Sequence, residues 1–381
     1  MKKKIFISLG LMSGTSMDGV DLSLIKSDGN NYIEYIDDKY YEFSDKLRAQ
    51  LIDLRDAQKN AQDLLKNQSK IKEAEKNFTL FNSKIVNSFI NDIGTKPDLI
   101  GFHGQTIFHS AKEKISRQLG NAKLLSQLTN CSIVNNFREQ DLINNGQGAP
   151  LTPIFHFLIS RKIKDEFKLE FPINIINLGG IANSTSVINN LDIENDVYAY
   201  DIAPGNCLLD EWFRKHTDKR YDSEGKVANF GKVNDLILNQ AIDNFEITSI
   251  KESLDVKDFD TSFVKGLSFE DGCATLTEFT AHLISEGIKK VDEMNNIFSK
   301  NLIFCGGGRK NKTLINNISK LLNNKDINIY NIDKFKINGD FVESKAFAYL
   351  AIRSLLNLPI SFPNTTRCSS SSSGGILTKN F

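Results

Sequence analysis

Proline is scarce in this chain, with 7 in 381 residues, and there is one tryptophan. The five cysteines (Cys131, Cys207, Cys273, Cys305 and Cys368) lie far apart, odd in number and without a C-x-x-C spacing. That excludes a disulfide framework or a structural zinc site and predicts free thiols in a reducing cytoplasm. Neither charge is in excess: 47 Lys+Arg face 47 Asp+Glu. A dedicated nucleic-acid or membrane-surface binder would carry a basic surplus, so neither partner is expected. No apolar run nears the roughly 20 residues of a membrane span. The three lysines before Ile5 faintly imitate a secretion signal. Ser8 and Gly10 interrupt the apolar run, however, and Asp18 and Asp21 follow with no small-residue cleavage site. Also missing are G-x-x-x-x-G-K-[ST] and G-x-G-x-x-G, so P-loop and dinucleotide fingerprints are both out.

Hydrophobic residues make up 40% of the chain, enough for real cores, and 381 residues predict two domains. Ile5–Leu9 and Val20–Ile25 read as strands around a Gly, Ser and Thr turn. Leu47, Leu51 and Leu54 share a helix face, and a longer helix over 71–93 buries Phe78, Phe81, Ile85 and Phe89. Strands follow at Leu99–Phe102 and Ser132–Asn135, with a helical stretch at Leu124–Leu128 between them. The run Asn144 to Pro150 is a strong breaker and marks the expected junction between domains 1–150 and 151–381. The second half alternates again. Strands are expected at Ile173–Asn177, Val197–Tyr200, Asn301–Cys305 and Ile327–Tyr330. Helices are expected at Leu208–Lys215, Thr275–Val291 and Glu343–Leu356, the last free to return to the N-terminal domain. The tail, with Ser369 to Ser373 and two glycines, reads as a mobile loop. Strands alternating with helices give an α/β class with mixed sheets.

Three glycine-bearing turns each follow an apolar strand. Small residues let backbone N–H groups approach oxygen anions closely. The first is Ser13-Gly14-Thr15-Ser16-Met17-Asp18-Gly19-Val20-Asp21, where amides and hydroxyls suit phosphate, and Asp18 or Asp21 suits magnesium through water. The second runs from Asn177 through Gly179, Gly180 and Asn183 to Thr185. The third is Gly306-Gly307-Gly308, where a flat ring such as adenine can lie on the backbone. Each alone also fits a plain turn or bulge; three in this order are stronger. Asp201, ahead of a helix, fits either a catalytic carboxylate or a helix cap.

These strings resemble one family, the anhydro-N-acetylmuramic acid kinases, within the superfamily of sugar kinases, actin and heat-shock chaperones. The resemblance is carried by Met12 to Asp21, His103-Gly104-Gln105-Thr106, Phe137-Arg138, Gly146-Gln147-Gly148-Ala149-Pro150-Leu151, Asn177 to Asn183, Asp201 through Pro204-Gly205-Asn206, Cys305 to Gly308, and Glu343 with Ala346–Ala351. Ile202, Ala203 and Asn145 depart from the usual pattern.

The resemblance implies a two-domain actin-like (ribonuclease H-like) ATPase fold with an interdomain cleft. It also implies a cytoplasmic homodimer working in cell-wall recycling. Its reaction is the ATP-dependent opening of 1,6-anhydro-N-acetylmuramic acid by water, with phosphorylation of the freed 6-oxygen. Asp201 is then the base. Residues 14–21, Gly179, Gly180, Asn183 and Gly306–Gly308 hold ATP, with magnesium reached through phosphates and water. Gln105, Thr106, Arg138 and Glu343 hold the sugar, and Arg138 can meet its lactyl carboxylate with two parallel hydrogen bonds. His103 is read as a structural hydrogen-bonder. Limiting free ATP hydrolysis calls for closure, with a hinge expected near Gly146–Pro150. The competing readings are a kinase for another sugar and a catalytically silent nucleotide or sugar sensor. The first would follow from a pocket reshaped by Ile202 and Ala203, and the second would be expected to lack Asp201.

Overall fold

The computed structural model describes residues 4–245, 254 and 256–380. The chain forms two compact units: residues 1–158 with 341–381, and residues 159–340. The expected division at 150 differs from this, because residues 151–158 pack with the first unit. The last helix and the tail return to it as well.

Unit 1 is built on β1 (Phe6–Ser13), β2 (Gly19–Ser27), β3 (Ile33–Glu42), β4 (Leu99–Ser110), β5 (Ile115–Leu119) and β6 (Ser132–Asn135). The strand Ile376–Thr378 joins the β6 edge. The main order is Ile376–Thr378, β6, β4, β1, β2, β3, with β5 paired to β4. β1, β2 and β3 form an antiparallel meander, while β4 runs parallel to β1 and β6 parallel to β4. The alternation of β2 explains its burial. Val20, Leu22 and Leu24 join the core with Leu47, Leu51, Leu54, Phe78 and Phe89 from helices Asp45–Asp56 and Gln68–Ile93. The opposite face carries the helix Val342–Leu355. It lies so close that a Cβ at Gly10 would overlap the Ser344 carbonyl, and one at Gly101 the Phe347 carbonyl.

Unit 2 contains β7 (Ile173–Leu178), β8 (Ile181–Val187), β9 (Val197–Pro204), β10 (Asn301–Cys305) and β11 (Asn328–Asn331). Their order is β11, β10, β7, β8, β9. Again a meander (β7, β8, β9) is followed by two parallel strands (β10, β11). Both units thus share one strand order, the doubled ribonuclease H-like core of the actin-like ATPase fold. The helix Phe269–Asn295 covers β9, with Gly287 against Ile202. Ile202 and Ala203 are fully buried in this core. These two departures from the family pattern therefore belong to the packing of this core. Among the described residues no helix is long and apolar enough to cross a membrane.

Two loop expectations are corrected. The Gly146–Pro150 segment is tied down within unit 1: Gly148 N–H donates to Asp141 Oδ2 at 2.7 Å, and Gln147 N–H to the Thr366 carbonyl at 2.7 Å. The chain leaves unit 1 further on, after Leu158 in the helix Pro153–Phe167. The serine-rich tail is likewise ordered. Ser369 N–H donates to the Asn144 carbonyl at 2.9 Å, Asn145 Nδ2 donates to Ser369 Oγ at 3.0 Å, and Ser361 bridges Ser372. Asn145 itself has φ of 63°, a left-handed conformation that asparagine tolerates better than most residues, so it stands well where the family prefers glycine.

Candidate active site

In unit 1 the last β1–β2 pair is Met12 with Asp21, and residues 14–18 form the turn between the two strands. Met17 turns left-handed (φ 55°), and its N–H donates to the Gly14 carbonyl at 3.2 Å. Met17 and Val20 are buried. Thr15 and Ser16 are exposed, and a Cβ on Gly14 would meet nothing within 4 Å. Two arginines that sequence reading missed reach this turn. Arg48 Nε donates to Asp18 Oδ1 at 3.1 Å, and Arg55 Nη1 to the Thr15 carbonyl at 3.2 Å. They stand seven residues apart on one helix, the spacing of a single face. That spacing was a readable signal; the target was not. Asp18 is thereby engaged in an ion pair, and Asp21 is half-buried on β2.

Gln105 is placed differently from its implied sugar contact. It is fully buried; its Oε1 accepts from Ser13 Oγ at 2.5 Å, and its Nε2 donates to the Gly14 carbonyl at 3.1 Å. It braces the first glycine turn. Thr106, one residue on, is half-buried and accepts from Gln118 Nε2 at 3.2 Å. His103 Nδ1 lies 2.8 Å from the Gly104 carbonyl, and Arg138 donates to His103 Nε2 from Nη2 at 3.0 Å. Burial, with help from the Arg138 charge, pushes His103 down to about 3, so the ring is neutral. Glu343, in the first turn of Val342–Leu355, is half-buried, and burial pushes its carboxyl up against the opposing pull of Arg138.

In unit 2 the second and third glycine turns converge with the segment after Asp201. Gly205 and Asn206 N–H groups donate to the Gly180 and Gly179 carbonyls at 2.9 and 2.8 Å. Asn206 Nδ2 donates to the Leu178 carbonyl at 3.2 Å. A Cβ on Gly308 would approach Leu178 and Asn206 to 2.7 and 2.8 Å, and Gly306 needs its φ of 76°. Arg309, with a side chain 3% exposed, fixes this loop from behind. It bonds Asp333 through Nε and Nη2 at 3.0 and 3.1 Å, and Asp340 and the Gly306 carbonyl through Nη1 at 2.6 and 2.9 Å.

Asp201 lies inside β9, which runs on to Pro204, and Asn206 occupies the cap of the helix Cys207–His216. The helix-cap alternative is thus removed. Asp201 Oδ2 accepts from Leu254 N–H at 3.0 Å, and its cross-strand partner is Asn183. Asn183 Oδ1 is buried and has no hydrogen-bond partner among the described residues.

The solved activator of the 2-hydroxyisocaproyl-CoA dehydratase from Clostridium difficile with bound ADPNP aligns over 91% of this chain and 94% of its own, at TM-score 0.43 and 10% identity. That is too distant to bear on chemistry. Curated relatives named anhydro-N-acetylmuramic acid kinase are far closer. The Pelagibacter ubique protein is 51% identical over 100% of both chains. The Zymomonas mobilis protein is 36% identical over 97% of this chain and 98% of its own. The Brucella canis protein is 34% identical over 97% of each. The family model described as anhydro-N-acetylmuramic acid kinase matches residues 6–380. The chain belongs to the anhydro-N-acetylmuramic acid kinase family.

Proposed function

We propose that this chain is the ATP-dependent kinase that hydrolytically opens 1,6-anhydro-N-acetylmuramic acid, with Asp201 as its base. Family membership from residue 6 to 380, with a relative at 51% identity and full coverage, carries the reaction. Asp201 takes a proton from water as the water oxygen bonds to the anomeric carbon. The bond from that carbon to the bridging 6-oxygen breaks, and the 6-oxygen takes the γ-phosphoryl group. The bond to the β-phosphate then breaks and releases ADP, leaving N-acetylmuramic acid 6-phosphate for cell-wall recycling. The strand position of Asp201 beside Asn183 supports its role, because a rigid strand holds a base more precisely than a loop.

Phosphoryl transfer rests mostly on positioning and electrostatics. The 14–21 turn, Gly179, Gly180 and Asn183 serve the phosphates, and Gly306–Gly308 the adenosine. A magnesium ion bound with ATP would neutralise phosphate charge, with Asp18 or Asp21 able to hold it through water. Thr106, Arg138 and Glu343 serve the sugar, whereas Gln105 serves by holding the first turn. The five buried free cysteines support a cytoplasmic setting. A homodimer is the assembly the family resemblance implies, and light scattering tests it.

The deciding assay mixes purified protein, Mg-ATP and 1,6-anhydro-N-acetylmuramic acid and identifies products by mass. A product carrying both added water and phosphate is expected. Its absence sinks the proposal.

A further inference from the structure

Asp141 is almost wholly buried, at 1% exposed, and both of its carboxylate oxygens accept hydrogen bonds. Oδ2 accepts from the Gly148 N–H at 2.7 Å, and Oδ1 from Thr366 Oγ1 at 2.6 Å. Its backbone carbonyl accepts from the Gly146 N–H at 2.8 Å. The carboxylate lies so close that a Cβ on Gly146 would come within 2.2 Å of Oδ2. One side chain thus sets the path of Gly146–Gly148. Gly148 is also gripped from its other end, because its carbonyl accepts from Arg138 Nη1 at 2.8 Å. Arg138 caps the short helix Glu139–Ile143, and Asp141 lies within it, three positions on and so a neighbour on its surface. The helix, the two side chains and Gly148 close a ring. Thr366, fully buried and 225 positions from Asp141, completes it from the tail. Its hydroxyl donates to Asp141, and its carbonyl accepts from the Gln147 N–H at 2.7 Å.

We propose that Asp141 and Thr366 are positioning residues for the sugar. Asp141 fixes the Gly148 peptide against which Arg138 is set, and Thr366, brought in by the tail, holds Asp141 in place. This deepens the proposed function and rests on Arg138 being a sugar contact. Taking a carboxylate out of water is costly, and apolar packing would fill the same space at less cost. What the carboxylate adds is direction: it holds one loop amide and one tail hydroxyl at fixed angles. Arg138 Nη2 is directed by His103 and Nη1 by the Gly148 carbonyl. A guanidinium that meets a carboxylate with two parallel hydrogen bonds tolerates little misdirection, so a shift of that carbonyl passes on to the sugar. The first glycine turn has its own brace in Gln105, which makes sugar and nucleotide binding separable.

The test uses the full-length protein and calorimetric binding of 1,6-anhydro-N-acetylmuramic acid, with binding of a non-hydrolysable ATP analogue as the control for an intact fold. Thr366→Val keeps the shape of the side chain and removes the hydroxyl. With one hydrogen bond to a buried carboxylate gone, sugar binding is expected to weaken roughly tenfold and nucleotide binding to stay within about twofold. Thr366→Ser, which keeps the hydroxyl, recovers most of the loss. Asp141→Asn, whose NH2 must face either the Gly148 N–H or the Thr366 hydroxyl, shows the same split between sugar and nucleotide. In an Arg138→Gln background, Thr366→Val costs nothing further, as expected of residues acting through one another. Unchanged sugar affinity in Thr366→Val overturns the proposal. So does an equal loss in Thr366→Ser, or a multiplicative loss in the double variant. If Thr366→Val and Asp141→Asn both weaken sugar and nucleotide together, the two residues serve packing and the proposal falls. A wild type that binds the sugar but forms no phosphorylated product defeats the kinase reading alone. One that does not bind the sugar defeats both.

Discussion

Ser13 and Gln105, 92 positions apart, are joined by a 2.5 Å hydrogen bond that fastens the β1–β2 turn to β4. The same glutamine reaches the Gly14 carbonyl, so one side chain sets the path of the turn. In Gln105→Ala the Ser13 and Gly14 groups lose a buried partner, at a cost of about 1–3 kcal/mol. Urea unfolding should show that loss, and the KM for ATP should rise more than the KM for sugar. An unaltered KM for ATP would separate the brace from nucleotide binding.

Asp201→Asn keeps the size of the side chain and removes the base. A positioned general base contributes about 10²–10⁴-fold, so kcat should fall by that range while both substrates still bind. Full turnover would refute the assignment and spare the fold.

The glycines should separate into two classes. A Cβ at Gly14 meets open space, whereas one at Gly205 would overlap the Gly179 carbonyl. Gly14→Ala should therefore melt like wild type and raise the KM for ATP, the clash coming only with bound phosphate. Gly205→Ala should lower the melting temperature of the apo protein. Equal melting temperatures in the two variants would contradict this division.

His103 stands at about 3 in the fold against an ordinary 6.5. Between those values the unfolded chain binds the extra proton, so this contribution is complete above about 6.5 and is lost as pH falls toward 3. One such group adds up to about 1.4 kcal/mol per pH unit to the slope. Chemical denaturation at pH 4.5, 5.5 and 6.5 should give a shallower rise of stability with pH in His103→Gln than in wild type. Identical slopes would mean that His103 titrates normally in the folded protein.

The fold was more legible than the site. The β1–β2 hairpin, the 71–93 helix and the strands leading to each glycine turn carry apolar runs or periodicity of their own. β3 carries Glu34, Asp37, Asp38 and Lys39; among the described residues it is an edge strand paired only to β2, so charge on it is tolerated and no apolar alternation reveals it. The serine tail reads as a loop by composition, yet its order comes from Asn144, Asn145 and Ser361, partners that composition does not name. Asp201 was legible as a carboxylate near a strand end. Only the continuation of β9 to Pro204 decided that it is no helix cap.

The sequence by itself determined where the backbone must be small, where strands stop, and which carboxylate and arginine are available. Those properties depend on neighbours a few residues away, through allowed φ/ψ and side-chain period. Tertiary structure alone decided what each polar side chain serves. Gln105 braces a turn, Arg48 and Arg55 reach the same turn, and Arg138 bonds His103. The physical reason is reach: sheet register and helix docking bring together groups that lie 30 to 92 positions apart, and no local preference encodes that distance.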